Sequence, residues 1–99
     1  MADDKQKIIS DIKAYVSKNG GAYSSWYVGI ASDPKDRLFN DHAVAEVGGA
    51  WIYSPCASST IAREIEDCFI ALGMKGGAGG GDNTSKYVYA YKITKDTKE

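Results

Sequence analysis

Apolar residues recur at a helical period near the start of the chain. Ile8, Ile9, Ile12, Tyr15 and Val16 follow the 3.6-residue repeat, with lysines and Asp11 between them. The pattern predicts a packing helix over Lys5–Lys18, closed by Gly20-Gly21, because glycine accepts the left-handed backbone that ends a helix. Trp26 to Ala31 is rich in aromatic and β-branched residues and predicts a strand. Ser32 or Asp33 then caps a helix with Pro34 at its first position, running to about His42 with Leu38 as its buried residue. A strand that runs into a capped helix brings side chains and backbone N–H groups to one anion-friendly corner.

Ala43 to Gly49 predicts a loop, and Trp51-Ile52-Tyr53 a short strand ended by Pro55. Ser58, Ser59 or Thr60 caps a helix reaching Leu72. Its apolar arc is Ile61, Ala62, Ile65, Cys68, Phe69 and Leu72, and Glu66 falls at the rim of that arc. Met74 to Asn83 carries five glycines around one alanine at Gly76–Gly81 and predicts a loop. Tyr87 to Ile93 alternates, with Tyr87, Tyr89, Tyr91 and Ile93 on one face and Val88, Ala90 and Lys92 on the other, which predicts a strand. The order of elements gives an α+β fold: a small three-stranded mixed sheet flanked by about three helices. Residues 1–99 form one domain in this reading, with 1–20 as the N-terminal packing helix and 95–99 as a solvated tail.

Composition narrows the function classes. The chain has 99 residues and a formal net charge of −1, so bulk positive charge does not attract nucleic acid. Lysines gather between Lys86 and Lys98, whereas Asp33 to Asp67 is mostly acidic, so a nucleic-acid contact must be local. No apolar run reaches the roughly 20 residues that cross a bilayer, and the first residues lack an apolar signal core, which predicts a cytoplasmic protein without a membrane partner. Cys56 and Cys68 are then expected as thiols. His42 is the only histidine, which excludes a Cys/His metal cluster.

Tyr27-Val28-Gly29-Ile30, followed by Asp33-Pro34-Lys35-Asp36-Arg37-Leu38 and then His42, resembles the second half of the GIY-YIG nuclease motif. The step of ten residues from Tyr27 to Arg37 matches that family. Ala62-Arg63-Glu64-Ile65-Glu66 is similar to the family's helix bearing a metal-binding glutamate. Together these stretches span about half the chain. The family's first strand, G-[IV]-Y, has two counterparts here. Gly21-Ala22-Tyr23 lies only four residues before Tyr27, and Val88-Tyr89-Ala90-Tyr91 is similar to that strand displaced to the C-terminus.

The resemblance implies hydrolysis of phosphodiester bonds in DNA or RNA with one divalent ion, Mg²⁺ or Mn²⁺, on Glu66. Arg37 would hold phosphate oxygens, and Tyr27 or Tyr23 would position or deprotonate the attacking water, with His42 as the alternative base. Lys35 and Lys86 are the candidate substrate contacts. Each residue also has a plainer reading: Tyr27 as a core aromatic, Arg37 paired with Asp33 or Asp41, Glu66 solvated, and His42 favouring the end of its helix. The tyrosines of the last strand either pack against the helices or stack on bases. The rival function is a catalytically inactive module of the same fold that binds nucleic acid or protein. A homodimer or larger assembly is compatible with the size, and no residue specifies one.

Overall fold

The structure is a computed structural model and describes residues 4–45, 48–76, 86–95 and 97. Helix α1, Asp4–Lys18, ends as the sequence requires. Gly20 and Gly21 take φ of 119° and 78°, and the Gly21 N–H donates to the Val16 carbonyl at 2.8 Å. Strand β1 is Trp26–Ala31. It leads into α2, Pro34–Asp36, whose start is capped by the Asp33 carboxylate accepting from the Asp36 N–H at 3.2 Å.

The expected helix to His42 is not regular. From Arg37 to Asp41 the backbone widens to a π turn, and the His42 N–H donates to the Arg37 carbonyl at 2.9 Å. Leu38 and His42 are both buried there, while Arg37 is half-buried and Asp41 exposed.

Strand β2, Trp51–Pro55, is longer than the predicted three residues, and helix α3, Ser59–Ala71, is capped by Ser58. Strand β3, Tyr87–Lys92, lies in the middle of the sheet, in the order β1-β3-β2, and is antiparallel to both neighbours. Pro55 is tolerated because β2 is an edge strand, where a missing N–H breaks no ladder. Lys75 adds one parallel bridge to Tyr27 on the outer side of β1, so the sheet is mixed in that one contact. The glycine-rich loop expected around Gly76–Gly81 lies, beyond Gly76, outside the described residues.

Two cores sit on the two faces of the sheet. Trp26, Val28 and Ile30 of β1, with Val88 and Ala90 of β3, pack under Ile8, Ile12 and Val16 of α1 and Ala62, Ile65 and Phe69 of α3. The other face is built from Tyr89, Tyr91, Ala31, Leu38 and Val44. Helix α3 buries a different arc from the one its apolar residues suggested. Glu66 is 4% exposed, whereas Leu72 is 42% exposed. The helix is rolled so that Glu66, one turn beyond Ala62, joins Ala62, Ile65 and Phe69 in the buried arc. No helix among the described residues is long and apolar enough to cross a membrane, and Cys56 and Cys68 are not joined in a disulfide.

Candidate active site

The face of the sheet away from α1 and α3 is an array of rings. Strand pairing fixes its rows: Trp51, Tyr91 and Tyr27 stand side by side, and Tyr53, Tyr89 and Gly29 form the next row. Gly29 is the gap in this array. The phenol of Tyr89 fills it, with its hydroxyl 2.5 Å from where a Cβ on Gly29 would stand. Any side chain at position 29 therefore displaces Tyr89.

The π turn lowers His42 onto these rings. Its Nε2 lies 2.8 Å from the Tyr89 hydroxyl and its Nδ1 3.1 Å from the Tyr91 hydroxyl. Tyr27 stacks on Tyr91 with centroids 5.3 Å apart and leans on the His42 ring at 4.8 Å. A neutral imidazole has one donor and one acceptor nitrogen, so one phenol donates to the ring and the other accepts from it. The roles exchange when one phenol gains a proton from outside as the other loses one, with the ring protons moving between them. Tyr89 then presents either a lone pair or a proton on its remaining side.

The charges around Tyr89 come from separate elements. Burial pushes its hydroxyl well above the ordinary phenol range, and Tyr27, Glu66 and Asp41 push in the same direction while Arg37 opposes them. Arg37 is paired through Nε with Asp41 at 3.5 Å, the second of the two acidic partners its spacing allowed. Glu66 is not the solvated residue of the plainer reading. Its Oε2 is buried and has no hydrogen-bond partner among the described residues. Burial raises its carboxyl pKa, against Arg63, which lowers it, while Asp67 adds to the rise.

That orphan oxygen is the one feature that fits a divalent ion. A hard cation would satisfy it and relieve the cost of burying its charge. No group of three or more His, Cys, Asp or Glu is gathered among the described residues.

Of the residues expected from sequence, Tyr27 and His42 are brought together with Tyr89 and Tyr91, and Arg37 opens the turn that carries His42, whereas Glu66 belongs to α3, which packs on the other face of the sheet. Tyr23 is not in this cluster. It sits in a 3₁₀ turn, Tyr23–Ser25, against the other core, with its ring 6.2 Å from Phe69. Lys35 is exposed and lines a cleft beside Tyr53 and Tyr87, and Lys86 is exposed just before Tyr87. Tyr89 and Tyr91 are the residues that reading the motif alone undervalued. Alternation had placed them on one face, but they pack against the π turn and β1 rather than against α1 and α3. No family model matches the chain, and neither the curated proteins nor the solved structures yield a match.

Proposed function

We propose that this protein is a metal-dependent nuclease of GIY-YIG type, hydrolysing phosphodiester bonds in DNA or RNA. The observation that carries this reading is the cluster that Tyr27 and His42, both of the motif, form with the hydroxyls of Tyr89 and Tyr91, at the end of the turn that Arg37 opens. The likeness to the family also gains support from β3. The strand bearing Val88-Tyr89-Ala90-Tyr91 is hydrogen-bonded along the whole of β1, the position expected of a displaced first strand.

In this reading the attacking water gives its proton to the Tyr89 oxygen while Tyr89 passes its own to Nε2 of His42; the water oxygen bonds to phosphorus, the P–O bond to the leaving sugar oxygen breaks, and that oxygen takes a proton from solvent. The phenol never becomes a phenolate, which its buried setting disfavours. In this step Nδ1 of His42 keeps its own proton and donates it to Tyr91, which leaves Nε2 as the acceptor. Tyr27 is half-buried at the rim and positions the water. Arg37 turns its guanidinium fork from Asp41 to the phosphate oxygens and stabilises the charge that grows on them. A Mg²⁺ or Mn²⁺ ion on Glu66 would supply Lewis-acid neutralisation of the phosphate.

Purified protein with Mg²⁺ or Mn²⁺ should cleave labelled single-stranded or duplex DNA or RNA. Arg37→Ala, Glu66→Ala and Tyr89→Phe should each slow cleavage by about 100-fold or more. Cleavage that survives all three substitutions overturns the assignment.

One observation favours the rival reading of a catalytically silent binding module. Tyr89 is only 2% exposed and Arg37 already has a carboxylate partner, so at rest the cluster turns little of either group toward a substrate. Nucleic-acid binding without cleavage in either metal is the outcome that selects it.

A further inference from the structure

The aromatic array does not end at Tyr89. Beyond it on the same face, Tyr53 and Tyr87 lie half-buried with centroids 6.2 Å apart, and Trp51 stacks on Tyr53 at 6.0 Å with nearly parallel planes. A cleft of about 200 Å³ opens between these rings and the start of α2, lined by Tyr53, Tyr87, Ser32, Asp33, Pro34 and Lys35. Lys35 stands at this cleft, and Lys86 precedes Tyr87 in the chain. Of the carboxylates there, Asp33 is engaged by its own helix cap.

We propose that this cleft is a stacking site for an unpaired nucleobase, so that the substrate class is single-stranded nucleic acid. The inference rests on the nuclease reading for what happens next to the cleft, but the binding stands on its own observations. A base within a duplex has both faces covered, and only an unstacked one can lie on tyrosine rings. The chain has a net charge of −1 and cannot hold a duplex by bulk electrostatics, so stacking must supply much of the affinity. Tyr87 and Tyr89 are two residues apart on one face of β3, about 7 Å. A base on Tyr87 and a phosphate near Tyr89 therefore belong to neighbouring nucleotides of one strand. Lys35 and Lys86 supply the local positive charge for its backbone.

The test is anisotropy of labelled single-stranded DNA, single-stranded RNA and a hairpin duplex, with the intact protein and with EDTA present so that nothing is cleaved. Single strands should bind more tightly than the duplex, and the DNA and RNA arms identify which sugar is preferred. The logarithmic salt slope should be near −2, from Lys35, Lys86 and Arg37 at about −0.7 each. Tyr53→Leu and Tyr87→Leu should each lower affinity about tenfold, while Tyr53→Phe and Tyr87→Phe hold it, which separates stacking from folding. Equal affinity for duplex, or unchanged binding in both leucine variants, overturns the site. Cleavage in Mg²⁺ is read separately. Ring-dependent binding without cleavage sinks the nuclease reading and supports this one. Cleavage of single strands with an unchanged KM in Tyr87→Leu sinks the stacking site and leaves the nuclease standing.

Discussion

The hydroxyl of Tyr89 stands over Gly29, its strand partner, at 2.5 Å from the position a Cβ would take there. The tyrosine ring occupies the space of a missing side chain, and His42 holds it there from above. Gly29→Ala must therefore push Tyr89 aside. It should cost about 1–3 kcal/mol in urea unfolding, the range for overpacking a core. In a Tyr89→Ala background the same change should fall within about 0.5 kcal/mol of neutral, because its clash is gone. Equal costs in both backgrounds would show that the ring is not the obstacle.

His42 is 6% exposed and bonded at both ring nitrogens. Tyr89→Phe and Tyr91→Phe each strand one nitrogen in a buried setting, at about 1–3 kcal/mol of stability. Similar stability losses should accompany different kinetics. Tyr89→Phe should slow cleavage by about 10²–10⁴-fold, and Tyr91→Phe, fully buried and only orienting the ring, by far less. Equal rates in the two variants would remove Tyr89 from the reaction.

Local pattern made most of the elements readable. The repeat of Ile8, Ile12 and Val16, the alternation along β3 and the capping residue Ser58 each follow from the nearest neighbours in sequence. What was not readable depended on distant partners. The central position of β3 is set by pairing across some sixty residues of chain to β1, and no periodicity records it. Glu66 looked peripheral because the apolar residues of α3 alone defined the arc. Packing against β1 and β3 rolled the helix so that Leu72 was left outside. His42 was nearer to legible. It lies four residues after the buried Leu38, on the same side of the turn, and its two phenol partners were the missing information.

The Asp33 cap holds the start of the segment that carries Lys35 and Arg37. Asp33→Ala should cost about 1 kcal/mol, and Asp33→Asn much less, since asparagine caps almost as well. Thermal unfolding checks the pair. Matching losses in the two variants would mean that the carboxylate acts by charge rather than by its bond to the Asp36 N–H.

Glu66 predicts a pH dependence whose sign can be worked out. Burial disfavours its charged form and raises its carboxyl pKa in the folded protein above the ordinary value of about 4.3. Between those two values the folded protein binds a proton that the unfolded chain has released, so stability falls as pH rises through this window. Below the ordinary value both states are protonated and the penalty is absent. Glu66→Gln removes the charge and keeps the shape. It should raise Tm at pH 7 and leave it unchanged at about pH 4, flattening the pH profile in between. Mn²⁺ adds the second arm, since an ion on the orphan Oε2 should raise the Tm of the native protein and not that of Glu66→Gln. Parallel pH profiles would mean that Glu66 is solvated when folded. Equal Mn²⁺ shifts would place the ion elsewhere.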